Sequence, residues 1–353
     1  MKLFINKKLT IFSACFILLI NFCGCSDHDV KKVFVTSKDF PETVRLNNGN
    51  VIKFSQLSPS DLFVTDSLII VSTYDENPRL NVYGSCGYDS IASFGYIGKG
   101  PHEYLAPEWN GELFTKNGSE DKFLYLYEFG YGRIHEINFS QILNGNEEKS
   151  FGKDFYLAPE VMNADNVFFI NDTLYAEATY NPNVKYFKSA LGSTSYTAIG
   201  TTNSSEIIED ANSLEAKINL DRSFLDHSAF NSKFVAAYLR FNKIILMDHN
   251  FSEQLVIYYG NEEKGPENEE FVSPENVFYF RKPFAGKNYI YVSYVGVKNK
   301  IDTFPKEIQV YDYNGNPVKR YISDNSFSSF TVDEENHKLY LITNNEDQYV
   351  SYN

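Results

Sequence analysis

Cysteine, tryptophan, methionine and histidine are all scarce in this chain: 4, 1, 3 and 6 of 353 residues. Three of the cysteines, Cys15, Cys23 and Cys25, fall within the first 25 residues, so Cys86 alone remains beyond them. One thiol forms no intramolecular disulfide and builds no thiolate metal centre. The histidines are His28, His102, His135, His227, His249 and His337, and none makes a pair at metal-ligand spacing. Basic residues are outnumbered 32 to 46, for a net charge of −14. No basic patch is left to neutralise phosphates, which argues against nucleic acid as a partner. Beyond residue 30 there is almost no helical periodicity and no apolar run of membrane-spanning length. Gly98-Lys99-Gly100 is followed by neither a Gly-Lys-Ser/Thr ending nor a helix pattern, so it is not a phosphate loop. The acidic clusters Glu262-Glu263, Glu267-Asn268-Glu269-Glu270 and Asp333-Glu334-Glu335 lack the fixed oxygen spacing of a calcium loop and read as a solvated face. No cofactor is implied.

What is abundant is aromatic: 26 Tyr and 30 Phe. The beginning of the chain has its own pattern. Lys2, Lys7 and Lys8 precede an apolar stretch, Leu9 to Phe22, whose 14 residues suit a signal-peptide core and are short for a bilayer span. Phe22-Cys23-Gly24-Cys25 follows and resembles the lipobox of bacterial lipoproteins. The resemblance implies cleavage before Cys25 and acylation of that cysteine, on its sulfur and on its new α-amine. Several acyl chains anchor stably where one does not. Removing 24 residues with three lysines leaves 329 residues at a net charge of −17, so attachment to an anionic membrane must rest on lipid. The acidic stretch Ser26-Asp27-His28-Asp29 resembles the surface-export signal of Bacteroidota lipoproteins, and is otherwise a short solvated linker. The expected location is the cell envelope, as an outer-membrane lipoprotein, with exposure at the cell surface the reading of that signal. The expected organisation is a signal peptide at 1–24, anchor and linker at 25–32, and one folded domain at 33–353.

Within that domain, short runs rich in β-branched and aromatic residues are punctuated by Asn, Asp and Gly, the pattern of an all-β fold. A polar turn leads into an apolar strand six times, at Leu68, Phe123, Leu174, Phe234, Tyr289 and Leu339, with gaps of 55, 51, 60, 55 and 50 residues. A period of that length holds about four strands, and six such units fill the mature chain, which predicts a six-bladed β-propeller with four-stranded antiparallel blades. The last unit is short of strands. The segment Lys31 to Phe54, with Val33-Phe34-Val35 and Val51-Ile52-Lys53-Phe54, is therefore expected to supply the outer strand or strands of the last blade, so that N- and C-terminal strands close the ring and remove free edges. The aromatic excess is then packing between blades. Asn314-Gly315 suits a two-residue hairpin, and Ser204 to Leu220 reads as a loop insertion with a helical turn or two.

The signal segment, the six repeats and the stretch Phe94-Gly95-Tyr96-Ile97-Gly98-Lys99-Gly100-Pro101-His102-Glu103-Tyr104 together resemble the TolB-like six-bladed propeller lipoproteins of Bacteroidota. The resemblance implies architecture and location and brings no catalytic residues. A looser copy of the stretch, Lys264-Gly265-Pro266-Glu267, follows the fourth repeat. Both stretches are either interblade turns, in which Gly permits and Pro fixes φ, or ligand-contacting loops on one face. On the second reading Lys99, His102, Glu103, Tyr104, Lys264 and Glu267 are candidate ligand-binding residues, with Trp109 beside them as a ring for a sugar face or as a packing residue. His102 with Glu103, and His227 beside Asp226, are the groups best placed for acid–base work. The triplets Asp66-Ser67-Leu68, Asp89-Ser90-Ile91 and Asp172-Thr173-Leu174 resemble an O-glycosylation signal, but two of them coincide with the repeat's own turn. With no catalytic constellation in view, the expected function is binding of a glycan, peptide or protein partner by a membrane-anchored propeller. The alternative is a propeller hydrolase or lyase acting on a glycan or peptide.

Overall fold

All six polar turns do the same structural job: each carries the chain from the first to the second strand of a blade. At the third of them Asn171 and Asp172 both take left-handed φ, 48° and 59°, the conformation of a two-residue type I′ hairpin. Short polar side chains tolerate that region and β-branched ones do not. Strand residues then alternate or run apolar according to whether one or both faces of the blade are covered. The computed structural model describes residues 30–54, 59–65, 67–74, 76–178, 184–199, 213–267, 273–298, 303–344 and 348–352. The apolar stretch Leu9 to Phe22 and Cys25 lie outside them. Among the described residues no helix is long and apolar enough to cross a membrane.

Blade one comprises Pro59–Thr65, Leu68–Thr73, Leu80–Gly84 and Ser90–Phe94, paired in that order. In blade two the innermost strand is split into Pro107–Glu108 and Phe114–Thr115, both pairing with Lys122–Glu128, and Arg133–Asn138 and Phe151–Tyr156 follow outward. Blade three is Ala164–Ile170, Thr173–Ala178, Tyr186–Ala190 and Thr197–Ile199. Blade four is Ser223–Ser228, Lys233–Tyr238, Lys243–Met247 and Glu253–Tyr259. Blade five is Val277–Ala285, Ile290–Lys298, Glu307–Tyr311 and Pro317–Ser323. Blade six has Phe327–Asp333, Lys338–Thr343 and Gln348–Tyr352, and takes Asn50–Ile52 as its antiparallel fourth strand.

The segment before blade one departs from expectation. Only Asn50–Ile52 joins the last blade. Lys31–Val35 instead lies outermost on blade four, against Glu253–Tyr259, and Thr43–Leu46 runs parallel to Pro317–Ser323 on the outside of blade five. The chain thus laces three successive blades along their outer edges. Physically, each of these short strands satisfies an outer edge and buries one apolar anchor: Val35, Leu46 and Ile52 are each the buried end of their strand. Spread over three blades, the segment covers three outer edges, where stacking all three strands on one blade would leave the other two uncovered. The Asn314-Gly315 connection is also longer than a two-residue hairpin: Asp312 to Asn316 form the loop, and the Asp312 carboxylate accepts from Asn314 N and Asn316 N, both at 2.9 Å. Of the expected helical insertion, Leu214–Leu220 is a helix capped by Ser213 Oγ, which accepts from Ala216 N at 3.1 Å. Residues 204–212 lie outside the described residues.

The core lies between blades, as the aromatic excess predicts. Val235, Ile244 and Ile257 of blade four pack with Phe280, Val292 and Tyr311 of blade five. Ile52 and Ile342 on blade six share a cluster with Leu62, Ile69 and Val71 of blade one. Blades three and four meet through rings: Phe168 and Phe234 at 5.7 Å between centroids and Tyr186 and Phe251 at 4.5 Å, with Phe234 and Phe251 of blade four stacked on each other at 4.6 Å. Between the same two blades Lys185 Nζ is buried against Glu177 Oε1 at 2.7 Å and Asp221 Oδ2 at 3.3 Å.

Candidate functional site

Neighbouring strands within each blade run antiparallel, so the connections sort onto two faces. First-to-second and third-to-fourth turns emerge on one, here the hairpin face. Second-to-third turns and the connections between blades emerge on the other, here the crossover face. The six innermost strands surround a central cavity of about 330 Å³ to which every blade contributes, including Asp61, Glu108, Val167, Asp226, Lys282 and Ser329. A second cavity of about 690 Å³ lies among the first-to-second turns. The two adjoin at Asn110, Tyr125 and Phe169, which line both, and are the floor and, on the hairpin face, the wide mouth of the central channel.

The channel floor is polar. Asp61 holds an ion pair with Lys282 Nζ and accepts from Ser329 Oγ at 2.5 Å, linking blades one, five and six. The Asp226 carboxylate accepts from Ala285 N at 2.7 Å. Burial pushes its pKa up to about 6, against the opposing pull of the backbone donors Ala285 and His227 and of Lys282. Glu108, open to the cavity but crowded by the surrounding strands, is likewise raised, first by partial desolvation and then by Asp165.

The mouth is organised by the break in the innermost strand of blade two. Between its two halves, Trp109 to Leu113 fold into a tight excursion. Gly111 takes φ 91°, and a Cβ there would collide with the Phe63 ring. Trp109 Nε1 donates to Glu112 O at 3.0 Å, Glu112 N donates to Asn110 Oδ1 at 3.0 Å, and Asn110 Nδ2 donates to Val167 O at 2.7 Å. The effect is to swing the Glu112 carboxylate over the channel. There Oε2 accepts from Phe169 N at 3.3 Å, and Oε1 lies 2.8 Å from His227 Nδ1. His227 sits near the end of the innermost strand of blade four. His249 comes from the third-to-fourth turn of the same blade, a turn held by Asp248, whose carboxylate accepts from Asn250 N at 2.7 Å and Ser252 N at 3.0 Å. The two rings meet with Nε2 atoms 3.3 Å apart. His249 is depressed in pKa, first by burial and then by His227. Around the rim stand Asp333, Glu334, Glu335 and Lys287. Glu334 ties blade six to blade five by accepting from Asn288 N at 2.9 Å and Tyr289 N at 3.1 Å.

The residues singled out in sequence divide between these places. Trp109 lines the central cavity, with its ring 4.9 Å from that of Phe63. Lys99, His102, Glu103 and Tyr104 lie in the connection from blade one to blade two, on the crossover face, and none of them lines either cavity. In that connection Glu103 Oε2 accepts from Gly100 N at 2.6 Å, the His102 ring stacks on Phe151 at 3.6 Å, and buried Tyr104 packs edge-on to His135. Lys264 and Glu267 lie in the connection from blade four to blade five, also on the crossover face, with Lys264 N donating to Asn242 Oδ1 and Glu267 N to Asn276 Oδ1. The two Gly-Pro stretches therefore share a face, three blades apart, and that face is opposite the mouth. Of the mouth's own cluster the sequence singles out only His227, beside Asp226; His249 stands there as a histidine without a partner at ligand spacing and Glu112 carries no signal, because 22 and 115 residues separate them from it.

The sequence profile of the TolB-like 6-blade propeller-like family matches residues 38–335. The chain belongs to that family. Among solved structures, this TolB-like propeller is similar to a member of the DUF4221 family from Bacteroides vulgatus, at 10% identity and a TM-score of 0.59, over 84% of this chain and 91% of that one. It is also similar to a protein from Bacteroides fragilis proposed to be exported, at 11% identity and a TM-score of 0.52, over 91% and 98% of the two chains. At such identities the likeness is one of fold. No curated protein matches the chain.

Proposed function

We propose that this TolB-like propeller is a lipid-anchored binding protein of the cell envelope whose ligand is small, polar, and neutral or positively charged. The ligand seats in the mouth on the hairpin face. The observation that carries the ligand class is the charge around that mouth: Glu112, Asp333, Glu334 and Glu335 face one lysine, Lys287. An anion would meet like charge there, while a cation or a hydroxyl-rich molecule finds acceptors. A stacking surface is at hand in Phe230, which is 72% exposed on the same rim. The hydrolase or lyase alternative is not favoured, because at the mouth the Nε2 atoms of His227 and His249 are turned on each other and not on a hydroxyl or thiol that either could activate.

A thermal-shift panel of neutral oligosaccharides, basic peptides and anionic counterparts tests the ligand class. Stabilisation by the first or second group, reduced by Phe230→Ala and by Glu335→Lys, is expected. A response to anions alone, or one indifferent to both substitutions, would overturn the reading. The anchor rests on the Phe22-Cys23-Gly24-Cys25 run and has its own test. Metabolic labelling with a fatty acid should mark the wild type and leave Cys25→Ala unmarked. Protease treatment of intact cells should degrade the protein if it faces outward, and resistance until lysis would place it on the inner leaflet.

A further inference from the structure

We infer that His227 and His249 form an open site for a divalent transition-metal ion, best matched by zinc, at the mouth of the channel. In a tetrahedral site with metal–nitrogen bonds of about 2.0–2.1 Å, two imidazole nitrogens stand roughly 3.3–3.4 Å apart. The two Nε2 atoms are 3.3 Å apart. The ring centroids lie 5.4 Å apart, so the rings approach nitrogen first and do not stack. As a direct hydrogen bond the contact is long; as a pair of ligands on a shared ion its length is the one required.

Glu112 supplies the second part of the arrangement. Its Oε1 at 2.8 Å from His227 Nδ1 fixes the proton on that nitrogen and leaves the Nε2 lone pair directed at His249. A metal-ligating histidine that gives its other N–H to a carboxylate is the usual outer-shell pattern. Glu112 is itself held by Phe169 N and by its own excursion in blade two, so the carboxylate is placed before any ion arrives. Two nitrogens suit zinc or cobalt, and calcium and magnesium take oxygen ligands instead. Among the described residues no group of three or more His, Cys, Asp or Glu side chains is placed to hold a metal. The remaining coordination positions therefore belong to water or to a ligand entering the 690 Å³ mouth, which makes this an open site and not a structural one.

The test is a titration of tag-free, chelator-stripped protein with Zn²⁺ by calorimetry and with Co²⁺ by visible absorption. One equivalent should bind, and Co²⁺ should develop the intense visible bands of four- or five-coordination. His249→Ala, on a part-exposed turn, and His227→Gln should each weaken binding at least tenfold. Glu112→Gln should weaken it by about 10–100-fold while leaving the shape of the cobalt spectrum in place, as befits a positioning residue. Melting curves of each variant separate loss of the site from loss of the fold. No saturable equivalent in the wild type, or full binding in the His227→Gln/His249→Ala double variant, would overturn the inference. Metal is measured without added ligand, so failure here leaves the ligand-binding reading standing, and the converse also holds.

Discussion

Glu112 shows how much one side chain carries at the mouth. Its carboxylate serves His227 Nδ1 and Phe169 N, and its backbone is held by Asn110 and Trp109. Glu112→Ala strands a backbone N–H and an imidazole N–H at once, and a loss of about 1–3 kcal/mol in urea unfolding is expected. Asp226 makes a different prediction. Its pKa in the folded state, about 6, lies above the unfolded value of about 3.9. A carboxyl shifted this way binds its proton more tightly when folded. The cost of ionising it is absent below about pH 4, grows as the pH rises through 6, and is constant above. Asp226→Asn keeps an oxygen for Ala285 N and removes that cost. The variant should therefore gain about 1–3 kcal/mol on the wild type between pH 4.5 and pH 7.5, read from urea midpoints at the two values. Parallel curves would show that burial does not tax this carboxylate.

At the scale of strands, the repeat was legible because one turn recurs with one chemistry. Leu68, Phe123, Leu174, Phe234 and Leu339 all lie in the second strands of their blades, and Tyr289 immediately precedes its own. A hairpin turn and an apolar strand are local, and local structure writes itself into short sequence. The mouth was not legible for the opposite reason. It is assembled from a strand break at Trp109 to Leu113, a strand end at His227 and a turn at His249, and only the ring of blades makes them neighbours. The Gly-Pro stretches misdirected attention because their composition is that of any tight connection: Glu103 caps the turn it belongs to. The interface of blades three and four hid an ion cluster of the same non-local kind. Burial draws the Lys185 pKa down, but Asp221 and Glu177 outweigh it and hold the amine charged. Lys185→Met would leave two buried carboxylates facing each other, at an expected cost of about 3–5 kcal/mol. A Glu177→Gln/Lys185→Met pair should recover part of it, as a double-mutant cycle in urea would show.

For the molecule as a whole, the outer lacing is the feature that sequence reasoning placed least well. Two strands between Lys31 and Phe54, at Val33-Phe34-Val35 and Val51-Ile52-Lys53-Phe54, are legible in the sequence and point to the last blade; the structure has a third, Thr43–Leu46, and distributes the three over three blades. Short strands carry pattern without address: the period of two says which side is buried and nothing about which edge is paired. Phe40 anchors the crossing from blade four to blade five, buried and 5.4 Å from the Tyr311 ring. Phe40→Ala is expected to cost about 3–5 kcal/mol. A chain beginning at residue 47 should lose more than that, with extra amide exchange confined to Glu253–Tyr259 and Pro317–Ser323, the strands left uncovered. The lacing also sets how the protein responds to tension. A pull on the segment before Lys31 would meet Lys31–Val35 first, then Thr43–Leu46, then Asn50–Ile52, so the load falls on three attachments in turn. The rim strands are expected to peel one after another before force reaches the blades and the site between them, which a stepwise force–extension trace would show.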